Sequence, residues 1–167
     1  MRMLFAFVAG IIVTPVLFTL AAVAAWLPSK ATPTPPRWES SIGMRALDAS
    51  LERRAKGLKN PISANDSVAF AAGRKLYDQC SGCHGDAKGP SSWGTKDFYP
   101  RAPQFFQQGS DVGPEEAYAA VHDGIRYSGM AAWGDQIPDR QIWLVANYVA
   151  RIRNPVPQQA HQAHQSR

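Results

Sequence analysis

Two thiols and an imidazole stand together near the middle of the chain, in Cys80-Ser81-Gly82-Cys83-His84, followed by Gly85. Cys80 and Cys83 are the only cysteines among 167 residues. Two thiols at this spacing can add across the two vinyl groups of one haem. His84 then lies under the ring, with an imidazole nitrogen available to the iron as proximal ligand. Rival chemistries have less support. A thioredoxin-like dithiol needs a βαβ context, and the sequence shows no such alternation. A closed zinc site needs four ligands. Beyond Cys80, Cys83 and His84, only His122 lies in the part of the chain expected to fold.

Such a turn needs a scaffold, and residues 62–153, roughly 90 in number, read as one small domain. A domain of that size has a limited core, so a large apolar group buried in it supplies missing packing. The formal charge of +5 is unevenly spread. Residues 28–59 carry seven basic and three acidic side chains, and residues 60–153 carry nine basic and ten acidic. The domain is near neutral, which argues against nucleic acid as a partner. No nucleophile or acid–base constellation stands out, so an enzyme is not expected.

Leu4 to Leu27 is 24 residues without a charge. As a helix this is about 36 Å, enough for a hydrocarbon core of about 30 Å. Residues 1–27 are therefore expected to form a transmembrane anchor, with Pro15 tolerated inside it. The alternative is a cleaved signal peptide, with small residues at Ala22-Val23-Ala24 or Val23-Ala24-Ala25. Against cleavage, the apolar run exceeds an h-region of about 7–15 residues. The positive-inside count does not orient the segment, since Arg2 precedes it and Lys30, Arg37 and Arg45 follow. Covalent haem attachment decides instead, because it takes place outside the bacterial cytoplasmic membrane. The expected domain location is periplasmic.

Residues 28–36 read as an extended proline-rich linker reaching about 28 Å. Over residues 37–61, Met44, Leu47, Leu51, Ala55 and Leu58 fall at helical spacing with charges between them. This amphipathic helix is expected to pack on its own domain or on lipid headgroups, and Asn60-Pro61 ends it. A further helix opens at Ser63-Ala64-Asn65-Asp66 and runs through Tyr77 towards Cys80. Gly73 in its middle points to close approach by another element. The candidate is the last helix, Asp139 to Arg151, whose apolar face is Ile142, Val145, Ala146, Val149 and Ile152. Gly113-Pro114-Glu115-Glu116 opens another helix to about Asp123, with Gly124 as its cap. The fold class is all-α with long loops. Residues 85–112, with Trp93, Phe98, Tyr99, Phe105 and Phe106, form a loop that is too long unless it wraps a haem. Residues 154–167 read as a disordered polar tail.

Together with Ala72-Gly73-Arg74-Lys75-Leu76-Tyr77 and Gly129-Met130-Ala131-Ala132-Trp133, the haem motif makes residues 64–153 resemble the class I c-type cytochromes. The resemblance implies one covalent haem c in a small cytochrome c-like domain whose first and last helices cross at Gly73 and Tyr148. It implies Met130 as iron ligand opposite His84. Of the other methionines, Met1 and Met3 belong to the leader and Met44 to the amphipathic face. His122 is the competing ligand. The family's proline carbonyl, which accepts a hydrogen bond from the histidine ring, matches Pro103 best, ahead of Pro90 and Pro100. Tyr127 and Trp133 flank Met130 and are expected to cover the haem. Ala131 stands where many relatives have proline. The implied function is single-electron transfer between membrane redox complexes or other electron-transfer proteins, through an iron closed to oxygen and peroxide. The alternative is a haem-bearing subunit of a larger membrane dehydrogenase or oxidase; a gas sensor or peroxidase would need a vacant iron site.

Overall fold

The computed structural model describes residues 2–24 and 30–152, apart from the side chains of residues 2, 4–6 and 8. The expected tail over 154–167 and most of the junction after the leader lie outside the described residues. Among the described residues the regular structure is helical, with one isolated bridge between Asp86 and Gly89. The chain divides into two compact units, Met1–Lys30 and Ala31–Arg167.

The first unit is α1 (Arg2–Val23), with Pro15 inside it and the Thr19 hydroxyl donating to the Pro15 carbonyl at 2.8 Å. Among the described residues no helix is long and apolar enough to cross a membrane. The transmembrane helix expected over residues 4–27 is therefore not found. The helix ends at Val23. Phe7, Ile11, Leu17 and Phe18 nevertheless point outward, each more than half exposed.

The second unit is built on the crossing of α3 (Ser67–Tyr77) and α7 (Asp139–Val149). Asp66 caps α3, its carboxylate accepting from the Ala69 N–H at 2.8 Å. Every residue of α7 from Ile142 to Val149 is buried. The helices touch at Gly73, where a Cβ would lie 2.3 Å from the Leu144 carbonyl oxygen and 2.9 Å from Tyr148 Cβ. The close approach suspected from Gly73 is thus made by α7. Tyr77, Val145, Tyr148, Val149 and Ile152 form one core cluster, and Ile62, Ala69, Trp143 and Leu144 another. Buried Asn147 ties the chain before α3 into this core by pairing its amide with Asn60 at 2.8 and 3.0 Å.

Helix α6 (Pro114–Asp123) also packs on α7. Glu116 accepts from the Gly113 N–H at 3.0 Å at its start, and Gly124 ends it with φ 68°. Helix α2 (Arg37–Ala55) lies against α6. Leu51 is buried there, and Arg54 reaches the Gly124 carbonyl at 3.1 Å and the Asp123 carboxylate at 3.3 Å. The amphipathic segment therefore packs on its own domain. Met44, expected on the packed face, is 47% exposed because the contact is made by the C-terminal half of α2.

Candidate haem site

The cysteine–histidine motif forms α4 (Ser81–His84), a single turn entered from Cys80. The Cys80 carbonyl accepts from the Cys83 and His84 N–H groups at 3.1 and 3.0 Å. One turn fixes several residues for few bonds and does not sustain itself. Its later carbonyls are met from outside. Ser91 Oγ donates to the Gly82 carbonyl at 2.6 Å and Gln104 Nε2 to that of Cys83 at 2.9 Å. The buried Tyr77 hydroxyl donates to the carbonyl of Gly85 at 3.1 Å and approaches that of His84 at 3.4 Å. Burial, then the neighbouring Cys80, raises the Tyr77 pKa, so this donor keeps its proton. Gly85 leaves the turn at φ 68°, a conformation suited to glycine.

His84 Nδ1 lies 2.9 Å from the carbonyl oxygen of Pro103. A carbonyl only accepts, so Nδ1 carries the hydrogen and Nε2 keeps its lone pair. The Phe105 ring, in α5 (Phe105–Gln108), stacks on the imidazole at 5.0 Å. Burial lowers the His84 pKa, with the Pro103 bond pulling the other way. The ring is held neutral, the form in which it binds a metal. Cys80 and Cys83 are free thiols, both half-buried. Burial, then Cys83, pushes the Cys80 thiol up to about 11, so it stays protonated at neutral pH.

Met130 lies on the loop between α6 and α7, on a backbone held at both ends. Its N–H donates to Ser128 Oγ at 3.1 Å, and its carbonyl accepts from the Ile125 N–H at 3.0 Å. An aromatic bridge links this loop to the cysteine turn. Trp93 Cζ2 lies 4.0 Å from where Gly82 would carry a Cβ, Trp93 packs on Phe98 at 5.0 Å, and Phe98 covers Gly129. A Cβ at Gly129 would fall 2.3 Å from that ring, so the bridge needs glycine there. Tyr127 stands 90% exposed with φ 62°. Trp133 is half-buried, its N–H bonded to the Val121 carbonyl at 3.0 Å. His122 is engaged elsewhere, its Nδ1 2.7 Å from Asp123 and its ring on Tyr118, which stacks in turn on Trp143. Among the described residues no three His, Cys, Asp or Glu side chains gather to hold a metal ion.

The structure thus brings Cys80, Cys83, His84 and Pro103 together, with Met130 on a loop joined to them through Trp93 and Phe98. Sequence reading missed Ser91, Gln104 and the hydroxyl role of Tyr77, because none belongs to a local motif. The donor set fits a haem: two free thiols for the vinyl groups, and a neutral imidazole with Nε2 unengaged for the iron. One-electron exchange is the chemistry that the haem iron supplies when bound.

Such a turn, set beside a glycine-mediated helix crossing, is the construction of a c-type cytochrome. The family described as "Cytochrome C oxidase, cbb3-type, subunit III" matches residues 68–149. Residues 68–149 form a domain that belongs to the class I c-type cytochromes and carries covalently bound haem c. A chain of the Kuenenia stuttgartiensis reducing HAO-like protein complex is similar in structure, with a TM-score of 0.47 and 20% identity, over 59% of this chain and 48% of that one. The present chain thus spans about half the length of that relative. No curated protein matches.

Proposed function

We propose that the protein is a monohaem c-type cytochrome that carries single electrons between membrane redox partners, its iron ligated by His84 and Met130. The observation carrying this reading is the His84 ring, held neutral by burial and oriented by its 2.9 Å bond to Pro103, directly after the two free thiols in sequence. The fixed backbone of Met130 supports it as the opposite ligand, and the engagement of His122 with Asp123 and Tyr118 weighs against that competitor. The haem domain works on the periplasmic side of the bacterial cytoplasmic membrane, with which the outward apolar side chains of α1 associate. A second reading, a haem-bearing subunit of a larger oxidase or dehydrogenase, is favoured by the family's own description as an oxidase subunit. Isolation from membranes in mild detergent separates the two, as a free carrier comes away alone. The ligand assignment is tested by Met130→Ala, which lowers the reduction potential and opens the ferrous iron to carbon monoxide, whereas His122→Ala does neither. A Met130→Ala protein with the parent spectrum would contradict it.

A further inference from the structure

We propose that Gln104 and Ser91 are positioning residues for the haem turn, closing with His84 and Pro103 a reciprocal clasp that sets the donor strength of the proximal ligand. The inference rests on the reading of His84 as iron ligand. Two pairs of chain neighbours face each other: His84 gives its ring N–H to the backbone of Pro103, and Gln104 returns its amide to the backbone of Cys83, at 2.9 Å each. Either bond alone would let the two segments pivot. Together they fix both separation and angle. Gln104 is 5% exposed, and its amide also donates to the Ala102 carbonyl at 2.8 Å and accepts from the Ser91 N–H at 2.7 Å. Ser91, 7% exposed, passes the restraint on, since its hydroxyl holds the Gly82 carbonyl at 2.6 Å and accepts from the Gly94 N–H at 2.9 Å.

These buried groups have little water to fall back on, so a lost partner is not replaced cheaply. A carbonyl that accepts from a ligating histidine raises the basicity of the ring, and removal of such outer partners typically changes metal affinity about 10–100-fold. Gln104 directly follows Pro103, so its bond to Cys83 governs how close the Pro103 carbonyl stays to His84. When the clasp is loosened, the imidazole becomes a weaker donor and the ferric state loses more than the ferrous.

The test uses the full-length holoprotein, with Gln104→Leu, Ser91→Ala and, as a purely structural comparison, Asn60→Ala. Redox titration, ferric electron paramagnetic resonance and thermal melting are read for each. The ferrous-to-ferric ratio at a fixed ambient potential is expected to rise on the order of tenfold in Gln104→Leu. Ser91→Ala moves it in the same direction by less, and both change the low-spin g values. Asn60→Ala lowers the melting temperature and leaves potential and g values in place. Parent potentials and g values in Ser91→Ala and Gln104→Leu, with lowered melting alone, would overturn the clasp. If Gln104→Leu yields no folded holoprotein, Ser91→Ala decides by the same criterion. A parent protein lacking low-spin haem would overturn the His84 assignment itself, and the clasp with it.

Discussion

A carboxylate away from the haem turn shows how burial and charge act on single residues. Partial desolvation raises the pKa of Asp48, a residue still exposed on α2, above its ordinary 3.8, and the charges of Asp111 and Glu116 add to the rise. A carboxyl whose folded pKa lies above its unfolded value costs the fold stability once ionised, and that cost vanishes when both states are protonated. Asp48→Asn is therefore expected to melt higher than the parent at pH 7. The advantage should shrink as pH falls through the raised pKa and be gone below the unfolded value. Melting curves from pH 7 to pH 3 check this, and an advantage independent of pH would contradict it. His84 obeys the same rules with the opposite charge: burial disfavours the protonated ring, which leaves the neutral imidazole that the haem iron requires.

Among the helices, the crossing of α3 and α7 is the contact that places the cysteine turn, because α3 runs directly into Cys80. Gly73→Ala sets two effects against each other. Alanine favours an isolated helix by about 1 kcal/mol. Here its Cβ would lie 2.3 Å from the Leu144 carbonyl oxygen, a backbone atom that cannot swing aside. Overpacking of this kind costs about 1–3 kcal/mol, and the clash is expected to win, lowering the melting temperature. A variant as stable as the parent would show that α7 can move away. Much of this level was legible in the sequence. Asp66 caps α3, Pro114 and Gly124 bound α6, and Asp139 opens α7, as local signals require. Ser91 and Gln104 escaped because they act across nine and 21 positions on Gly82 and Cys83, and nothing local marks such a pairing. Met44 was misplaced for a related reason: periodicity gives the apolar face of α2, and only the position of α6 says which half of that face is covered.

For the whole molecule, charge distribution governs how partners meet. Residues 60–153 carry nine basic and ten acidic side chains, so the haem domain has no strong field of one sign. Its second-order electron-transfer rate should change little between low and physiological salt, unlike the 10–1000-fold range of strongly steered pairs. The basic side chains of residues 28–59, among them exposed Arg45 and Arg53 of α2 and Lys30, Lys56 and Lys59 outside it, are the other candidates for steering. Their replacement by Gln controls for that contribution. A steep salt dependence that survives it would contradict the near-neutral docking face.

The central claim is that Cys80 and Cys83 bind one haem covalently within a helical domain that presents His84 to its iron. The most direct measurement is the intact mass of the purified protein after acid–acetone extraction, alongside Cys80→Ala and Cys83→Ala. The account predicts a parent chain that keeps the mass of one haem through extraction, with the double replacement losing it entirely. A parent chain at its bare polypeptide mass, with the haem in the organic phase, would contradict it.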